Sequence, residues 1–296
     1  MQPDLVVRQA GPADRTDLSA LIENTPHIHR HLDWRSSLDW LGNQPFWLIE
    51  KNGSIQAALA CPPDPPGVYW IRLFAVHPSY SYQSAWQMLF PKVLEQLTTG
   101  SILDEAARAY LAAIILSPWV GDLFMHSGFH PHQEIVVLEW DNVLPAPRIN
   151  RPAVQIRDLE PDDLEQVARV DNLAFEPLWQ NSLESLVFAL QQSACSTVAV
   201  MDGEIVGYQV STASTYSAHL ARLAVLPGLQ KRSIGYTLVY DLLERLSRQE
   251  IYRVTVNTQG DNHASLALYQ KLGFWMTGDR FEVLVHPVQR RRSTLK

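Results

Sequence analysis

The sequence predicts an α/β fold built from two tandem copies of one unit. Three observations support this prediction. The chain has 296 residues, which exceeds the usual size of a single domain. Short apolar runs that suit buried strands alternate with stretches whose apolar residues recur every three or four positions, as in amphipathic helices. The order of these elements in the first half of the chain also recurs in the second half.

The internal repeat is carried by matching local signals. Arg8 and Asp14 have counterparts in Arg157 and Asp163, and each half has a dipeptide suited to a tight hairpin turn between apolar strands. The matched segments are residues 6–14 and 156–163, the turns Asn52-Gly53 and Asp202-Gly203, the strand ends 74–78 and 223–227, and the turns Gly128-Phe129 and Gly273-Phe274. A proline-rich stretch over 143–152 reads as a stiff linker. We therefore predict one domain over 1–142 and another over 153–296.

The composition excludes some classes of function. The chain has 31 acidic and 24 basic side chains, a formal charge of −7, which argues against a general nucleic-acid binder and is compatible with a cationic amine substrate. The two cysteines, Cys61 and Cys195, show no metal-like pairing, so we expect a reducing cytoplasm. Residues 1–30 contain no signal-like segment, and no stretch approaches the roughly 20 apolar residues that span a bilayer. We expect a soluble protein without a membrane partner.

The central feature of the second half is a strand, a polar loop and a helix. An apolar run stops at Pro227-Gly228, and the apolar residues between 238 and 246 have helical spacing. The loop between them carries Lys231, Arg232, Ser233 and Gly235 where the helix would begin. Backbone N–H groups, the positive end of a helix dipole and basic side chains therefore meet there. This arrangement predicts a cradle for an anion.

The residues around this loop resemble a known family. The pattern Leu-Ala-Val-x-Pro and then Gln-x-x-Ser-x-Gly over 223–235, with the segment 262–274, closely resembles the GNAT family of N-acetyltransferases. The resemblance implies a mixed, mostly antiparallel twisted sheet with helices on both faces in each copy. It also implies acetyl-coenzyme A (acetyl-CoA) as co-substrate, with its pyrophosphate in the loop. We expect no metal cofactor. The implied acetyl-CoA-binding residues are Leu223, Ala224, Val225, Gln230, Lys231, Arg232, Ser233, Ile234, Gly235, Asn262 and Tyr269.

This sequence departs from the family pattern at Ser233, where glycine is usual. A Cβ at that position could crowd a phosphate, because glycine allows a closer approach of the backbone. Serine is the mildest departure, since its hydroxyl can donate to phosphate or cap the helix. The equivalent stretch of the first half, residues 79–86, has neither a glycine nor a cation. We therefore expect a degenerate first copy that has lost acetyl-CoA and a second copy that binds it.

The resemblance implies direct attack of a neutral primary amine on the acetyl thioester. A base must remove a proton from the amine, and His219 and Glu176 are the two candidates. We place His219 on the same strand face as Ala221 and Leu223. Tyr269 matches the tyrosine that protonates the leaving thiolate, and Asn262 either contacts the pantetheine arm or caps a helix. The backbone N–H of Val225 is implied as a donor to the developing oxyanion.

Three histidines of the first half offer a possible metal site. His27, His29 and His31 alternate, so on an extended strand they would share a face. The flanking residues favour instead a loop that enters a helix, in which alternate side chains diverge.

Several points stay open at this stage. The acceptor is a small amine, a peptide N-terminus or a lysine, and the chain is a monomer or a homodimer. One alternative is a module that binds or senses coenzyme A without turnover. A second alternative is acetylation of a small thiol precursor, because a tandem layout with one competent copy also resembles mycothiol synthase.

Overall fold

The computed structural model describes residues 5–99, 109–140, 142–144 and 154–288, with only the backbone of Ala109. The chain divides into two compact units. Unit 1 contains the described residues up to His132 together with those from Glu282 onwards, and unit 2 runs from Gln133 to Phe281. Most of the predicted linker over 143–152 lies outside the described residues. No helix among the described residues is long and apolar enough to cross a membrane.

Unit 1 contains two groups of strands. Its elements are β1 Leu5–Gln9, α1 Arg15–Asn24, β2 His27–Arg30, β3 Phe46–Lys51, β4 Ser54–Ala60, β5 Val68–Trp70, β6 Leu73–Val76, α2 Tyr82–Thr99, β7 Ala109–Ile114, α3 Pro118–Met125 and the start of β8 His130–Trp140. One sheet has the order β1-β3-β4-β6-β2. Separately, β5 pairs in parallel with β7.

Unit 2 contains a mixed, mostly antiparallel sheet. Its further elements are β9 Gln155–Asp158, α4 Leu164–Ala174, α5 Leu183–Gln192, β10 Cys195–Met201, β11 Glu204–Ala213, β12 Ser217–Val225, α6 Ile234–Arg248, β13 Arg253–Gln259, α7 His263–Lys271 and β14 Trp275–Val288. The order is β14-β8-β13-β12-β11-β10-β9, and β12 with β13 is a parallel pair. Apolar residues of α6 and α7 share a core with Ala218 and Leu220, whereas α4 reaches the other face through Asp171. The predicted fold class is confirmed.

Both units show the predicted repeat at atomic detail. Arg8 pairs with Asp14 at 2.7 Å, and Arg157 pairs with Asp163 at 2.6 Å. Each aspartate also accepts a backbone N–H three residues earlier in the chain. The same short motif therefore fixes the strand-to-helix corner in both copies.

The two hairpin turns also agree with the prediction. Asn52 and Gly53 have φ values of 51° and 77°, and Asp202 and Gly203 have φ values of 53° and 85°. Two successive residues with positive φ are characteristic of the tight turn whose twist suits a hairpin.

Two strands contribute to both units. Residues 135–140 of β8 pair with β13 in unit 2, and residues 283–288 of β14 pair with β7 in unit 1. The compact units therefore differ from the two sequence halves at these strands. The reason is physical, because a β-ladder joins segments that are far apart in sequence and leaves no local signal of its partner.

Candidate active site

The site is built around the place where two parallel strands diverge. The pairing of β12 with β13 runs from Ser217 opposite Arg253 to Leu220 opposite Val256, although both strands continue. Beyond this point β13 stays paired with β8, and β12 stays paired with β11. We call the gap between residues 221–225 of β12 and 257–259 of β13 the β12 slot.

A β-bulge lies at the start of this divergence. Arg222 is opposite Val210 and Leu220 is opposite Ser211, so Ala221 is an extra residue in β12. A bulge bends the strand and re-aims its side chains. Leu220 and Leu223 consequently both pack on the α6 side, and His219 faces the opposite side. Our prediction that His219 shares a face with Leu223 was wrong, because it assumed unbroken alternation.

The open edge of β12 presents backbone groups to the slot. Leu226 N–H donates to Val206 O of β11 at 2.9 Å. Because N–H directions alternate along a strand, Leu223 and Val225 direct their N–H groups towards the slot. The Val225 carbonyl accepts from Gln230 Nε2 at 3.1 Å, which ties the loop to the end of β12.

The loop after β12 leads directly into the N-terminus of α6. Lys231 and Arg232 are exposed, and Ser233 stands immediately before the first helical residue. The Ser233 hydroxyl does not cap α6. The N–H groups of the first turn, at residues 234–236, have no intrahelical acceptors, and they carry the positive end of the helix dipole. This combination of first-turn N–H groups and cations suits a diphosphate.

The backbone and the packing at the start of α6 account for the effects of Ser233 and Gly235. Ser233 has φ of 66°, which lies in the left-handed region that glycine adopts without strain. A serine at this position instead of the usual glycine therefore strains the backbone by about 1–2 kcal/mol. Gly235 is needed for packing, because a Cβ there would lie 3.3 Å from Leu268 Cδ2 and 3.7 Å from Val225 Cγ2. A Cβ at position 235 would therefore require Leu268 to shift by a few tenths of an ångström, and a large side chain would not fit beside it.

His219 lies at the edge of the slot, one ladder position before the divergence. Its Nδ1 is 2.9 Å from Thr255 Oγ1 on β13. Burial lowers the pKa of His219, and hydrogen bonds with Asn257 and Thr255 partly oppose this effect. The imidazole is therefore neutral at pH 7 and keeps one nitrogen lone pair.

Tyr269 is buried on α7, with 4% of its surface exposed. It packs in the same core cluster as Tyr236 and Leu220, and its ring is 5.6 Å from that of Phe274. Burial raises the pKa of Tyr269, so its hydroxyl remains protonated at neutral pH. A group of this kind can donate a hydrogen bond or a proton to a thiolate.

The two remaining candidates have different surroundings. Asn262 Oδ1 accepts from Ser265 N–H at 3.1 Å, so this residue caps α7. Glu176 is exposed before the short helix Pro177–Trp179, and its carboxylate takes part in none of the described hydrogen bonds or ion pairs. The structure therefore gives Glu176 no contact with the slot, whereas His219 lies beside it.

One buried polar network was missed by the sequence analysis. Asp171 on α4 is fully buried, and it accepts from Tyr208 Oη at 2.5 Å and from Arg222 Nε at 2.7 Å. Arg222 follows the bulge at Ala221. A charged residue within an otherwise apolar strand was the signal that could have revealed the network, because a buried arginine requires a partner.

Unit 1 lacks the equivalent slot. The strand β2 pairs with the whole of β6, from His27 opposite Val76 to Arg30 opposite Leu73. Val76 is the counterpart of Val225 in the repeat, so a strand of the chain itself lies along the edge that is open in unit 2. In addition, Ser81 Oγ accepts from Ser84 N–H at 3.2 Å and so occupies a donor in the first turn of α2.

The position of Tyr269 also differs between the copies. Phe274 N–H donates to Tyr269 O at 3.0 Å, and Phe129 N–H donates to Phe124 O at 3.2 Å in the matching helix end. Phe124 therefore stands where the second copy has Tyr269. Unit 1 has no hydroxyl at this position.

The three histidines of the first half lie on or beside a strand. His27 and His29 belong to β2, so our prediction of a loop that enters a helix was wrong. Pairing with β6 stabilises the extended form, which local sequence does not show. His29 Nε2 is 3.1 Å from Ile71 O, and His31 stacks on Trp70 at 4.5 Å. Within the described part of the chain, no group of three His, Cys, Asp or Glu side chains is arranged to hold a metal ion.

Comparison with known proteins identifies the family. Residues 162–274 match the sequence model described as "Acetyltransferase (GNAT) family". Residues 162–274 belong to the GNAT acetyltransferase family. The matched residues include the β12 slot, the loop before α6 and Tyr269, so the GNAT assignment rests on the same segment as the site.

Curated relatives cover parts of the chain. A segment of 83 residues is 31% identical to "Spore coat polysaccharide biosynthesis protein SpsD" of Bacillus subtilis, and it spans 28% of this chain and 29% of that protein. The "[Ribosomal protein bS18]-alanine N-acetyltransferase" of Escherichia coli is 24% identical over 121 residues, which are 40% of this chain and 79% of that protein. A putative enzyme of the same name from Bacillus subtilis is 23% identical over 42% of this chain and 83% of its own length.

Solved GNAT structures cover nearly the whole chain. A "Tandem GNAT protein from the clavulanic acid biosynthesis pathway" matches 97% of this chain and 100% of its own, with a TM-score of 0.64 and 18% identity. A GCN5-related N-acetyltransferase from Sphaerobacter thermophilus matches 96% of both chains, with a TM-score of 0.62 and 17% identity. These matches confirm the predicted two-copy α/β fold.

Proposed function

We propose that this GNAT acetyltransferase moves an acetyl group from acetyl-CoA to a primary amine by direct attack of the amine on the thioester. We also propose that the second copy contains the active site. The observation that carries the proposal is the β12 slot, which opens beside the uncapped N-terminus of α6. Backbone N–H groups of β12 and of the first turn of α6 converge there with the exposed cations Lys231 and Arg232.

The residues present fit acetyl-CoA. The N–H groups of residues 234–236, with Lys231 and Arg232, would hold its diphosphate, and the edge of β12 at residues 223–225 would hold the amides of the pantetheine arm. When bound, acetyl-CoA supplies the activated acyl group as a thioester. The N–H of Val225 lies at the end of this edge, where a donor to an oxyanion is required.

Two side chains are suited to the proton transfers. His219 is neutral because burial lowers its pKa, so one ring nitrogen can accept a proton from the attacking amine. Tyr269 stays protonated because burial raises its pKa, and its hydroxyl can stabilise the departing sulfur. Burial also raises the pKa of Cys195, which disfavours a thiolate nucleophile and supports direct transfer.

Among possible acceptors, we favour the α-amine of a peptide. The relatives from Escherichia coli and Bacillus subtilis are named as alanine N-acetyltransferases. An α-amine has a pKa of about 7.7–8.0, so a useful fraction is neutral at pH 7, whereas a lysine has a pKa of about 10.4. A weak base such as neutral His219 can deprotonate the former more readily.

We further propose that the first copy does not bind acetyl-CoA. Three differences support this proposal: β2 lies along the edge of β6, Ser81 caps α2, and Phe124 replaces the tyrosine. The first copy would then act by shaping or stabilising the protein.

One observation favours a non-catalytic second candidate, a module that binds acetyl-CoA without turnover. Burial moves the pKa of Tyr269 further above that of a thiol, near 8.5, which weakens Tyr269 as a proton donor.

Release of free thiol from acetyl-CoA tests the two candidates. The amine panel contains an alanine-terminated peptide, the same peptide with a blocked α-amine, a lysine-containing blocked peptide and a cysteine-based thiol precursor. We expect thiol release and a mass gain of one acetyl group with the free α-amine peptide. Binding of acetyl-CoA without release for any acceptor would favour the non-catalytic module, and release only with the thiol precursor would favour the mycothiol-synthase-like reaction.

A further inference from the structure

His219 and Thr255 form a polar pair at the mouth of the β12 slot. They are directly opposite each other in the parallel ladder, and only the pair Leu220 and Val256 follows before the strands diverge. His219 Nδ1 lies 2.9 Å from Thr255 Oγ1. Thr255 is half-buried, so its hydroxyl has few other directions in which to bond.

The hydroxyl of Thr255 has a second partner that determines its role. Its oxygen is 3.4 Å from Ala218 O, and a carbonyl can only accept. A hydroxyl has one hydrogen to donate, so when that hydrogen points to Ala218 the oxygen must accept from His219. Neutral His219 then carries its proton on Nδ1 and its lone pair on Nε2, and the Asn257 side chain is a further hydrogen-bond partner of this ring.

The repeat provides an internal comparison for this pair. In unit 1 the same ladder position is occupied by Trp70 opposite Ala112, and neither side chain can act as a base. The polar pair therefore occurs in the copy whose slot is open and is replaced by apolar side chains in the copy whose strand edge is covered by β2.

We propose that Thr255 is a positioning residue that fixes the tautomer of His219, so that Nε2 serves as the base for the acceptor amine. This inference rests on the proposed function. The amine nitrogen forms a bond to the acyl carbon and loses a proton to Nε2, while the bond from that carbon to sulfur breaks and the sulfur takes a proton from the Tyr269 hydroxyl, which regains one from solvent. His219 becomes an imidazolium whose Nδ1–H stays bonded to Thr255.

Nitrogen-15 NMR of histidine-labelled full-length protein at pH 7 tests the tautomer directly. The two signals of His219 are identified by their loss in His219→Gln. We expect a protonated Nδ1 and an unprotonated Nε2 in the wild type and in Thr255→Ser. In Thr255→Val, which is similar in shape, we expect the proton to move largely to Nε2. A wild-type proton on Nε2, or an unchanged tautomer in Thr255→Val, would overturn the inference.

Kinetics with the alanine-terminated peptide provide the second readout. We expect Thr255→Val to lower kcat by about tenfold or more and Thr255→Ser to restore it within about threefold, with the Kd for acetyl-CoA unchanged in both. Equal kcat in Thr255→Val and wild type would contradict the positioning role. An active enzyme with the wrong tautomer overturns only this inference, whereas a wild type that turns over no amine removes the proposed function and this role with it.

Discussion

Arg222 donates from Nε to Asp171 Oδ2 across 2.7 Å, and the carboxylate is fully buried. The same arginine donates to Trp179 O at 2.5 Å, and Asp171 accepts from Asn181 N–H at 2.8 Å. The pair therefore joins β12, just after the bulge, to the segment between α4 and α5. One buried ion pair thus holds the strand that borders the β12 slot to this connecting segment.

We predict that Asp171→Ala lowers the free energy of unfolding by about 3–5 kcal/mol, because it leaves a buried guanidinium without its partner. Chemical denaturation measures this change. Glu244→Ala is the matched control, since it breaks the exposed pair with Arg248 and should cost less than about 0.5 kcal/mol. A loss below about 1 kcal/mol for Asp171→Ala would show that water or another group replaces the carboxylate.

The serines that directly precede α6 and α2 should respond to substitution in opposite ways. Ser233→Gly relieves a positive φ and should raise the free energy of unfolding by about 0.5–1 kcal/mol, without weakening acetyl-CoA binding. Ser81→Ala removes the bond to Ser84 N–H and should lower it by about 1 kcal/mol. Destabilisation by Ser233→Gly would mean that the serine side chain contributes more than its backbone strain costs.

Tyr269→Phe should reduce kcat for thiol release by about 10²-fold while the Kd for acetyl-CoA changes less than threefold. The ring is buried and is retained by the substitution, and unit 1 has phenylalanine at the matching position, so folding should tolerate it. Steady-state kinetics and a thermal unfolding curve together separate a chemical effect from a structural one. An unchanged kcat would assign the protonation of sulfur to another group.

His29 should make stability depend on pH. Burial lowers its pKa from 6.5 to about 4, so the folded state keeps it neutral while the unfolded state takes up a proton below pH 6.5. The free energy of unfolding should therefore fall by about 3 kcal/mol between pH 6.5 and 4 from this residue. Asp14, whose pKa Arg8 lowers, loses its contribution only at still lower pH.

Denaturation midpoints measured across this pH range check the prediction. His29→Gln should reduce the dependence without removing it, because burial also lowers the pKa of His31. The exposed His126→Gln should leave it as in the wild type. If the denaturation midpoint changes with pH equally in wild type and His29→Gln, His29 is not buried in its neutral form.

Local patterns predicted much of the site. The helical stripe at Leu238, Leu242 and Leu246 is buried in α6 as expected, and the loop before it lies where the Pro-Gly turn and the basic residues indicated. These features depend on neighbours in sequence, which periodicity and turn chemistry describe well.

The features that sequence reasoning missed depend on distant partners. The bulge at Ala221 is defined by its register against β11, and the strand form of His27 and His29 is stabilised by β6. Asp171 and Arg222 are about fifty positions apart, so no local pattern joins them. Long-range pairing of this kind determines the face on which His219 lies.

Calorimetric titration of the full-length protein with acetyl-CoA is the most direct test of the β12 slot as the binding site. We predict one molecule per chain with a Kd on the order of 10 µM or tighter. Gly235→Trp should abolish binding, because its side chain would displace Leu268, whereas Gln83→Trp in the first turn of α2 should leave it unchanged. Binding that survives Gly235→Trp, or that is lost in Gln83→Trp, would contradict the assignment of the active copy.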